Sequence, residues 1–473
     1  MGTPEGSAPG NRSFSRRTAI GAGVAAMGAV LIPKGAISAQ MNSDARTGSS
    51  ASTALLGGIV SRWEQDQWAR GSYSVLPPGV TPNVRKVLSQ ASVQQRIVFA
   101  GEYCDPAFPG TMQGALRSGI HAAEHLSDVS VGVSGKTVVV IGAGLAGLAA
   151  ASELQALGAS VRIVEARSRV GGRVKTDYSL GVPLEVGPSW IHARRNNPVA
   201  PLLERAGLTT VKASYKTRAR SARDGKPDQP ANKSLRELQG ILASSTSTAP
   251  KTSQSIAQWL AQNSWSEKSN NQKWASDVEL TQDFGLDAAK VSVESYFEGR
   301  EYLGGDGLVA GGLNNLTDML ARGLNIELDS PVAKVSAAGA GVQVELQSGE
   351  QVSGDLAVVA VPVALLQAQL PVITGISPQV QAAISSLETG NLEKAALVFD
   401  DQWWLRPQKT VPVLGVTADA RWTAFYDMTE VTGVPTLFGL TGGKRSTTRP
   451  ATDQVCLQEA FAAVSNAWKP RAR

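Results

Sequence analysis

Residues 137–173 read TVVVIGAGLAGLAAASELQALGASVRIVEARSRVGGR. A short apolar run, 137–141, leads into G-x-G-x-x-G at Gly142, Gly144 and Gly147. An Ala/Leu-rich stretch continues to about Leu157, and a second apolar run, 161–164, ends at Glu165. The order predicts strand, tight turn, helix and strand. In that arrangement Gly142 permits the turn, Gly144 lets the backbone approach a pyrophosphate, and Gly147 lets helix and strand pack closely. Free N–H groups at the helix N-terminus favour phosphate. Glu165, 23 residues after Gly142, is placed to accept both hydroxyls of an adenosine ribose, which disfavours a 2′-phosphate. The fold class that follows is α/β with a Rossmann-like dinucleotide-binding domain.

The next residues narrow the dinucleotide. ARSRVGGRVKT at 166–176 places Ala166 and Arg167 before a second close-approach turn at Gly171 and Gly172, with Arg173 able to reach a pyrophosphate or ribityl chain. Together with LEVGPSWIH (184–192) and NNPVAPLLERAGL (196–208), this resembles the flavin-containing amine oxidases, the family of the monoamine and polyamine oxidases. The resemblance implies FAD. It carries Gly187, Pro188, Ser189 and Trp190 past the isoalloxazine face and puts His192 on the wall of the substrate cavity. Downstream, residues 302–335 predict a helix over 313–322, a strand over 325–328 and another from Val332, whose backbone meets the adenine in the family. LAVVAVPVALLQ (356–367) resembles the strand that returns to the FAD-binding sheet, with the crossover into a mixed-sheet and helical substrate domain at Pro362. In GNLEKAALVFDDQWW (390–404), Lys394 and Trp404 have the spacing of the family lysine that holds a water against flavin N5. On its residues alone, Lys394 leads an apolar run where an ammonium needs a buried partner or water.

The family's closing module also occurs, ahead of the glycine motif. QQRIVFAGEYCDPAFPGTMQGALRSGIHAAEHL (94–126) predicts a strand ending at Gly101-Glu102 and a helix beginning at Pro109-Gly110-Thr111, ahead of Met112. The first turn of that helix suits the anionic N1–C2=O2 edge of a reduced flavin, and Glu102 is expected to accept from the ribityl or pyrophosphate side. The chain therefore resembles a circular permutant of the family. Ten residues, SDVSVGVSGK (127–136), bridge the module to the Rossmann unit, enough for neighbouring elements. In WEQDQWARGSYSVLPPG (63–79), Ser72-Tyr73 stands where monoamine oxidases have the cysteine-tyrosine pair that tethers flavin. Serine cannot form that thioether, so non-covalent FAD is expected. Tyr73 would be one wall of the amine's path. Thr111 replaces the second tyrosine of the monoamine oxidase cage, which leans toward a polyamine-like substrate. The implied reaction oxidises the C–N bond of a primary or secondary amine to an imine and reduces O2 to H2O2. Within the same fold the alternatives are an L-amino-acid oxidase, for which Arg194 and Arg195 are off the usual spacing, and a non-catalytic FAD-stabilised binding protein. Glu294 and Glu298 are candidates for tunnel acids.

The expected domains are an FAD-binding domain from 54–212 and 300–362 and a substrate domain from 213–299 and 363–473. The whole chain has 473 residues, 42% hydrophobic and 18% charged, the composition of a folded globular protein. Its net charge is +5, of which residues 1–40 hold +3. No basic stripe interleaved with aromatics suggests nucleic acid, and the basic stretch 216–226 reads as solvated surface. Residues 1–39 carry SRR at 15–17, a short Ala/Gly-rich apolar run and small residues to Ala39, which resembles a twin-arginine export signal. Export to the periplasm or outside the cell, without a stable membrane anchor, is the expectation, with 40–53 a linker. Three histidines and two cysteines show no metal-ligand spacing. Cys104 and Cys456 are left unpaired or paired, and a homodimer is left open.

Overall fold

The computed structural model describes residues 54–244, 253–299, 304–405, 413–417, 419–448 and 450–469. The expected signal and linker lie outside the described residues. None of the described helices is long and apolar enough to cross a membrane.

The Thr137–Ile141 strand explains the architecture around it. Val138, Val139 and Val140 have no exposed surface, so the strand is buried on both faces. It lies inside a six-stranded sheet, whose spatial order is Asn325–Glu327, Ser160–Val164, Thr137–Ile141, Leu356–Val359, Ile97–Phe99 and Ser92–Val93. All neighbours are parallel except the last pair. Side chains alternate between two cores. Val138 and Val140 pack with Ala122, Ala146 and Leu154 of the helices Met112–Val129 and Leu145–Ala156. Val139 and Ile141 pack on the opposite face with Leu88, Val344, Val352 and Ile384. The glycine motif joins strand to helix as its spacing predicts. Gly142 has φ +103°, and a Cβ on Gly147 would lie 1.9 Å from the Gly142 carbonyl oxygen.

The second sheet runs Leu55–Val60, Leu392–Phe399, Thr436–Gly442, Ala424–Asp427, Val413–Thr417 and Thr217–Ser221. It is antiparallel apart from the last pair. Ala395, Leu397 and Phe399 pack with Trp403, Trp404 and Trp422 under the C-terminal helix Asp453–Trp468. Ala396 and Val398 face the other way, toward Trp259, Trp274 and Leu280. Period-2 alternation thus divides the strand between two cores.

Two expectations are corrected. Residues 55–60 fall outside the nucleotide-binding unit: LLGGIV pairs with the Leu392–Phe399 strand, and Gly58 sits against the Ala396 carbonyl too closely for any Cβ. The crossover does not come at Pro362. Val372–Ile373 pairs with Val332–Ala338, and Val380, Ala383 and Ile384 of the Pro378–Ser386 helix bury against Leu88 on the nucleotide-binding side. In both cases tertiary pairing decided between readings that a short run leaves equal. The basic stretch at 216–226 supplies the edge strand Thr217–Ser221, and its Lys216, Arg218, Arg223 and Lys226 are exposed, as expected of a solvated surface.

A buried ion pair fastens the helical middle of the chain to the N-terminal module. Arg85 is wholly buried, and its Nε and Nη2 donate to Glu298 at 2.8 and 2.9 Å while Nη1 donates to Ser74 Oγ at 2.8 Å. Glu298 is therefore a structural counter-ion and does not line the cleft; nor does Glu294. Removing one partner of such a pair costs about 3–5 kcal/mol. Arg85→Met should lower the melting temperature sharply in a thermal denaturation scan, and a variant that melts with the wild type would contradict this role.

Candidate active site

One continuous cleft opens at the C-terminal ends of the parallel strands, the usual place for a ligand in such sheets, and extends to the second sheet. Gly142, Gly144, Glu165, Ala166, Arg167 and Val332 line one part of it. Gly101, Glu102, Met112, Gly172 and Arg173 line it too, as do Tyr73, Thr111, Gly187, Pro188, Ser189, Trp190, His192 and Lys394. Apart from the tunnel-acid candidates Glu294 and Glu298, every expected site residue thus reaches this cleft except Gly147, which sits behind its wall and sets the helix against the strand.

At the first end, Glu165 is 5% exposed and accepts the Ala143 N–H at 2.6 Å and the Arg167 N–H at 2.9 Å. Burial pushes its carboxyl up, against those two hydrogen bonds. Arg167 lines the cleft, but its guanidinium is held by a bidentate pair with Asp66 at 2.8 and 2.5 Å. Sequence reading missed Asp66, which carries no motif of its own and only acquires meaning through the fold.

In the middle, Glu102 lines the cleft and is held by donors from the protein. It accepts Ser74 N and Oγ at 3.1 and 2.7 Å, Gly110 N at 3.0 Å and Arg173 Nη1 at 3.1 Å. A carboxylate has about four acceptor sites, so the protein itself fills them. Burial pushes this carboxyl up, but Arg173, Arg85 and the Ser74 donors outweigh it and hold the group below its ordinary range. Thr111 is likewise committed: its hydroxyl caps the Met112–Val129 helix, accepting from Gly114 N at 3.0 Å and donating to Phe108 O at 2.7 Å. Beyond that cap, the first turn presents Met112 and Gln113 to the cleft, where helix N–H groups lack intrahelical partners.

At the second sheet, Lys394 is 6% exposed. Its ammonium donates to Gly187 O, Ser189 Oγ and, at 3.3 Å, Glu185 O, and it lies 5.5 Å from the Trp190 ring centroid. Burial pushes the ammonium down, with Glu185 opposing, and burial pushes the Glu185 carboxyl up. Its backbone is held by the N-terminal segment: Lys394 N donates to Ser61 Oγ at 2.8 Å, and Ser61 N to Lys394 O at 2.9 Å. Ser72 grips the same strand, its hydroxyl donating to Leu392 O and accepting from Leu392 N, both at 2.9 Å. Tyr73 donates its hydroxyl to Asp283 O at 2.8 Å. Trp190 and Tyr426 meet edge to face, with centroids 5.3 Å apart. Tyr426, Gln282 and Tyr215 also line this end; no sequence pattern marked them. His192 lines the cleft with Nδ1 3.1 Å from Asp306 Oδ2. Arg194 turns away, donating to Thr210 Oγ1 at 3.2 Å, and neither it nor Arg195 lines the cleft.

A glycine cradle beside a buried acid, continuous with a helix N-terminus and a buried lysine, defines a flavin-dependent oxidoreductase of the two-sheet type. The description "Flavin containing amine oxidoreductase" fits the chain over residues 49–127 and 145–469. The chain belongs to that family, whose cofactor is FAD. A second family model, pyridine nucleotide-disulphide oxidoreductase, matches residues 95–180, around the glycine motif. Probable polyamine oxidase 4 of Arabidopsis thaliana is 29% identical over 333 residues, covering 65% of this chain and 66% of the relative. Polyamine oxidase 3 of Oryza sativa subsp. japonica is 28% identical over 337 residues, covering 65% and 68%. The chain thus spans about two thirds of the length of these relatives. Lysine-specific histone demethylase 1B of Mus musculus is 28% identical over 389 residues, 76% of this chain and 46% of that protein. Among solved structures, a putrescine oxidase bound to putrescine superposes with a TM-score of 0.55 at 20% identity, covering 71% of this chain and 82% of that one; the likeness is one of fold.

The lowered Glu102 carboxyl gives a pH expectation. A group depressed in the folded state contributes stability above its unfolded value, near 4, and loses it as pH falls through the folded value. Melting temperature should therefore drop steeply below about pH 4. Glu102→Gln should start lower and fall less steeply, and equal acid slopes for the two proteins would refute the assignment.

Proposed function

We propose that this chain is an FAD-dependent amine oxidase that oxidises a C–N bond of a polyamine-like primary or secondary amine with O2 as acceptor. The observation that carries the reading is the continuity of the cleft from the Gly142–Gly144 cradle and Glu165 to Lys394, with Tyr73, Trp190 and Tyr426 at the lysine end. The cradle fits FAD: Gly144 leaves the backbone open to a pyrophosphate, Glu165 is an acceptor at the ribose position, and the Met112 turn offers N–H groups. Held there, FAD would supply the two-electron chemistry that removes hydride from an amine's α-carbon and reduces O2 to H2O2. The chain's residues position and tune. The aromatic walls exclude water from an amine that must be neutral at its nitrogen to react. Lys394 puts a cation at the base of the cleft, where negative charge developing on O2 is stabilised.

The finer parts of the reading have their own support. Non-covalent FAD is favoured because the Ser72 hydroxyl is engaged on both sides by Leu392. Circular permutation is favoured by where the terminal elements meet. The Asp453–Trp468 helix begins beside Arg62, which pairs with Asp453 at 2.5 Å, then passes Gly58 at Leu457 and reaches Phe399 at Phe461. Leu55 opposes Phe399. Helix and first strand therefore run antiparallel, as a helix–turn–strand connection would require. Export by a twin-arginine-type signal rests on residues 1–39 alone.

An amine panel with peroxide detection on the purified yellow protein tests the activity, with diamines and polyamines expected to be the best substrates; no peroxide from any amine would overturn it. Acid denaturation should release the flavin to the supernatant, and retained flavin would overturn the non-covalent assignment. Lys394→Met should slow reoxidation of the reduced protein by O2 by roughly 10²–10³, the size of losing one preorganised charge-stabilising donor, while leaving reduction by amine nearly intact.

A further inference from the structure

Asp306 joins two pieces of chain at a side-chain cluster that the activity above leaves unexplained. Its Oδ1 accepts the Ala193 N–H at 2.8 Å, and its Oδ2 accepts the Tyr215 hydroxyl at 2.5 Å and faces His192 Nδ1 at 3.1 Å. His192 and Tyr215 line the cleft, and Asp306 does not. The Asp306 side chain is 11% exposed, the His192 side chain 38%. The imidazole therefore turns its Nδ1 edge to the wall and leaves the edge bearing Nε2 on the open side.

We propose that Asp306, with Tyr215, is a positioning residue that fixes His192 in the Nδ1–H tautomer, so that Nε2 accepts an N–H of a second nitrogen on the substrate. This rests on the amine oxidase reading and names the substrate class within it: di- and polyamines over monoamines. A carboxylate can only accept, so the nitrogen it faces carries the proton, and in a neutral imidazole the other nitrogen is then an acceptor. Burial pushes the Asp306 carboxyl up, but His192, Tyr215 and the Ala193 N–H outweigh it and keep it ionised. An acceptor backed by a carboxylate suits an amine N–H and disfavours a substrate carboxylate. The other charged groups nearby do not compete for this edge. Arg194 points to Thr210, Arg195 packs beside Gly304, and Lys394 is engaged by Gly187 and Ser189.

The chain has three histidines, so imidazole nitrogen NMR on the FAD-loaded enzyme can resolve His192, assigned with His192→Gln. In its neutral form His192 should show a protonated Nδ1 and a bare Nε2, and Asp306→Asn should shift that balance. Kinetically, Asp306→Asn should lose about tenfold or more in kcat/KM for a diamine, the scale of one hydrogen bond to a charged group. A monoamine of the same chain length should lose much less. Tyr215→Phe, which removes one bond to Asp306, should lose less than Asp306→Asn. A bare Nδ1 in the wild type overturns the proposal even where Asp306→Asn fails to fold. So does an unchanged diamine-to-monoamine ratio in a folded Asp306→Asn. A wild type that oxidises no amine overturns the activity reading, and the tautomer measurement still judges Asp306.

Discussion

Four hydrogen bonds converge on one buried carboxylate, Glu102, and the arrangement of the cleft depends on them. The donors come from Ser74, from the loop at Gly110 and from Arg173 beside the glycine-rich turn. Arg85 shares the Ser74 hydroxyl and carries the network on to Glu298. A buried charge that loses its partners is costly, so these segments cannot drift apart. Their fixed relation sets where Tyr73 stands, where the Met112 turn points and how Arg173 is held.

The same N-terminal module governs the far end of the cleft. Ser61 bonds the backbone of Lys394 itself, Ser72 bonds that of Leu392 two residues earlier, and the Leu55–Val60 strand closes the sheet edge beside them. Lys394 is thus placed by residues more than 300 positions earlier in the chain. Residues 54–129 and the chain from 137 onward build one cleft between them, whichever comes first in sequence. That interdependence is what the permutation reading requires: an element moved to the other end of the chain keeps its neighbours.

The nucleotide-binding half was legible because its signals are local. Glycines at fixed spacing, β-branched runs and an acid at a strand end each have one structural use, and the Thr137–Ile141 strand, the following helix and Glu165 fall where they imply. The residues that complete the site were not legible for the opposite reason. Asp66 meets Arg167 101 positions away, and Asp306 meets Tyr215 and His192 91 and 114 positions away. Glu102 was seen, but its donors within the protein were not, because nothing in the pattern of Ser74, Gly110 or Arg173 points to it. LLGGIV at 55–60 carries no mark of which sheet it joins; the close approach at Gly58 decides it, and only the folded partner reveals that.

The central claim is that the cofactor is clasped between two segments whose order in the chain does not matter. The joint between them offers a direct test, because Val131 is 93% exposed. A specific protease site introduced there would allow the FAD-loaded protein to be nicked and passed over a sizing column. The account predicts that the two pieces elute together and retain their flavin absorbance. Separation of the pieces with loss of the flavin would contradict it.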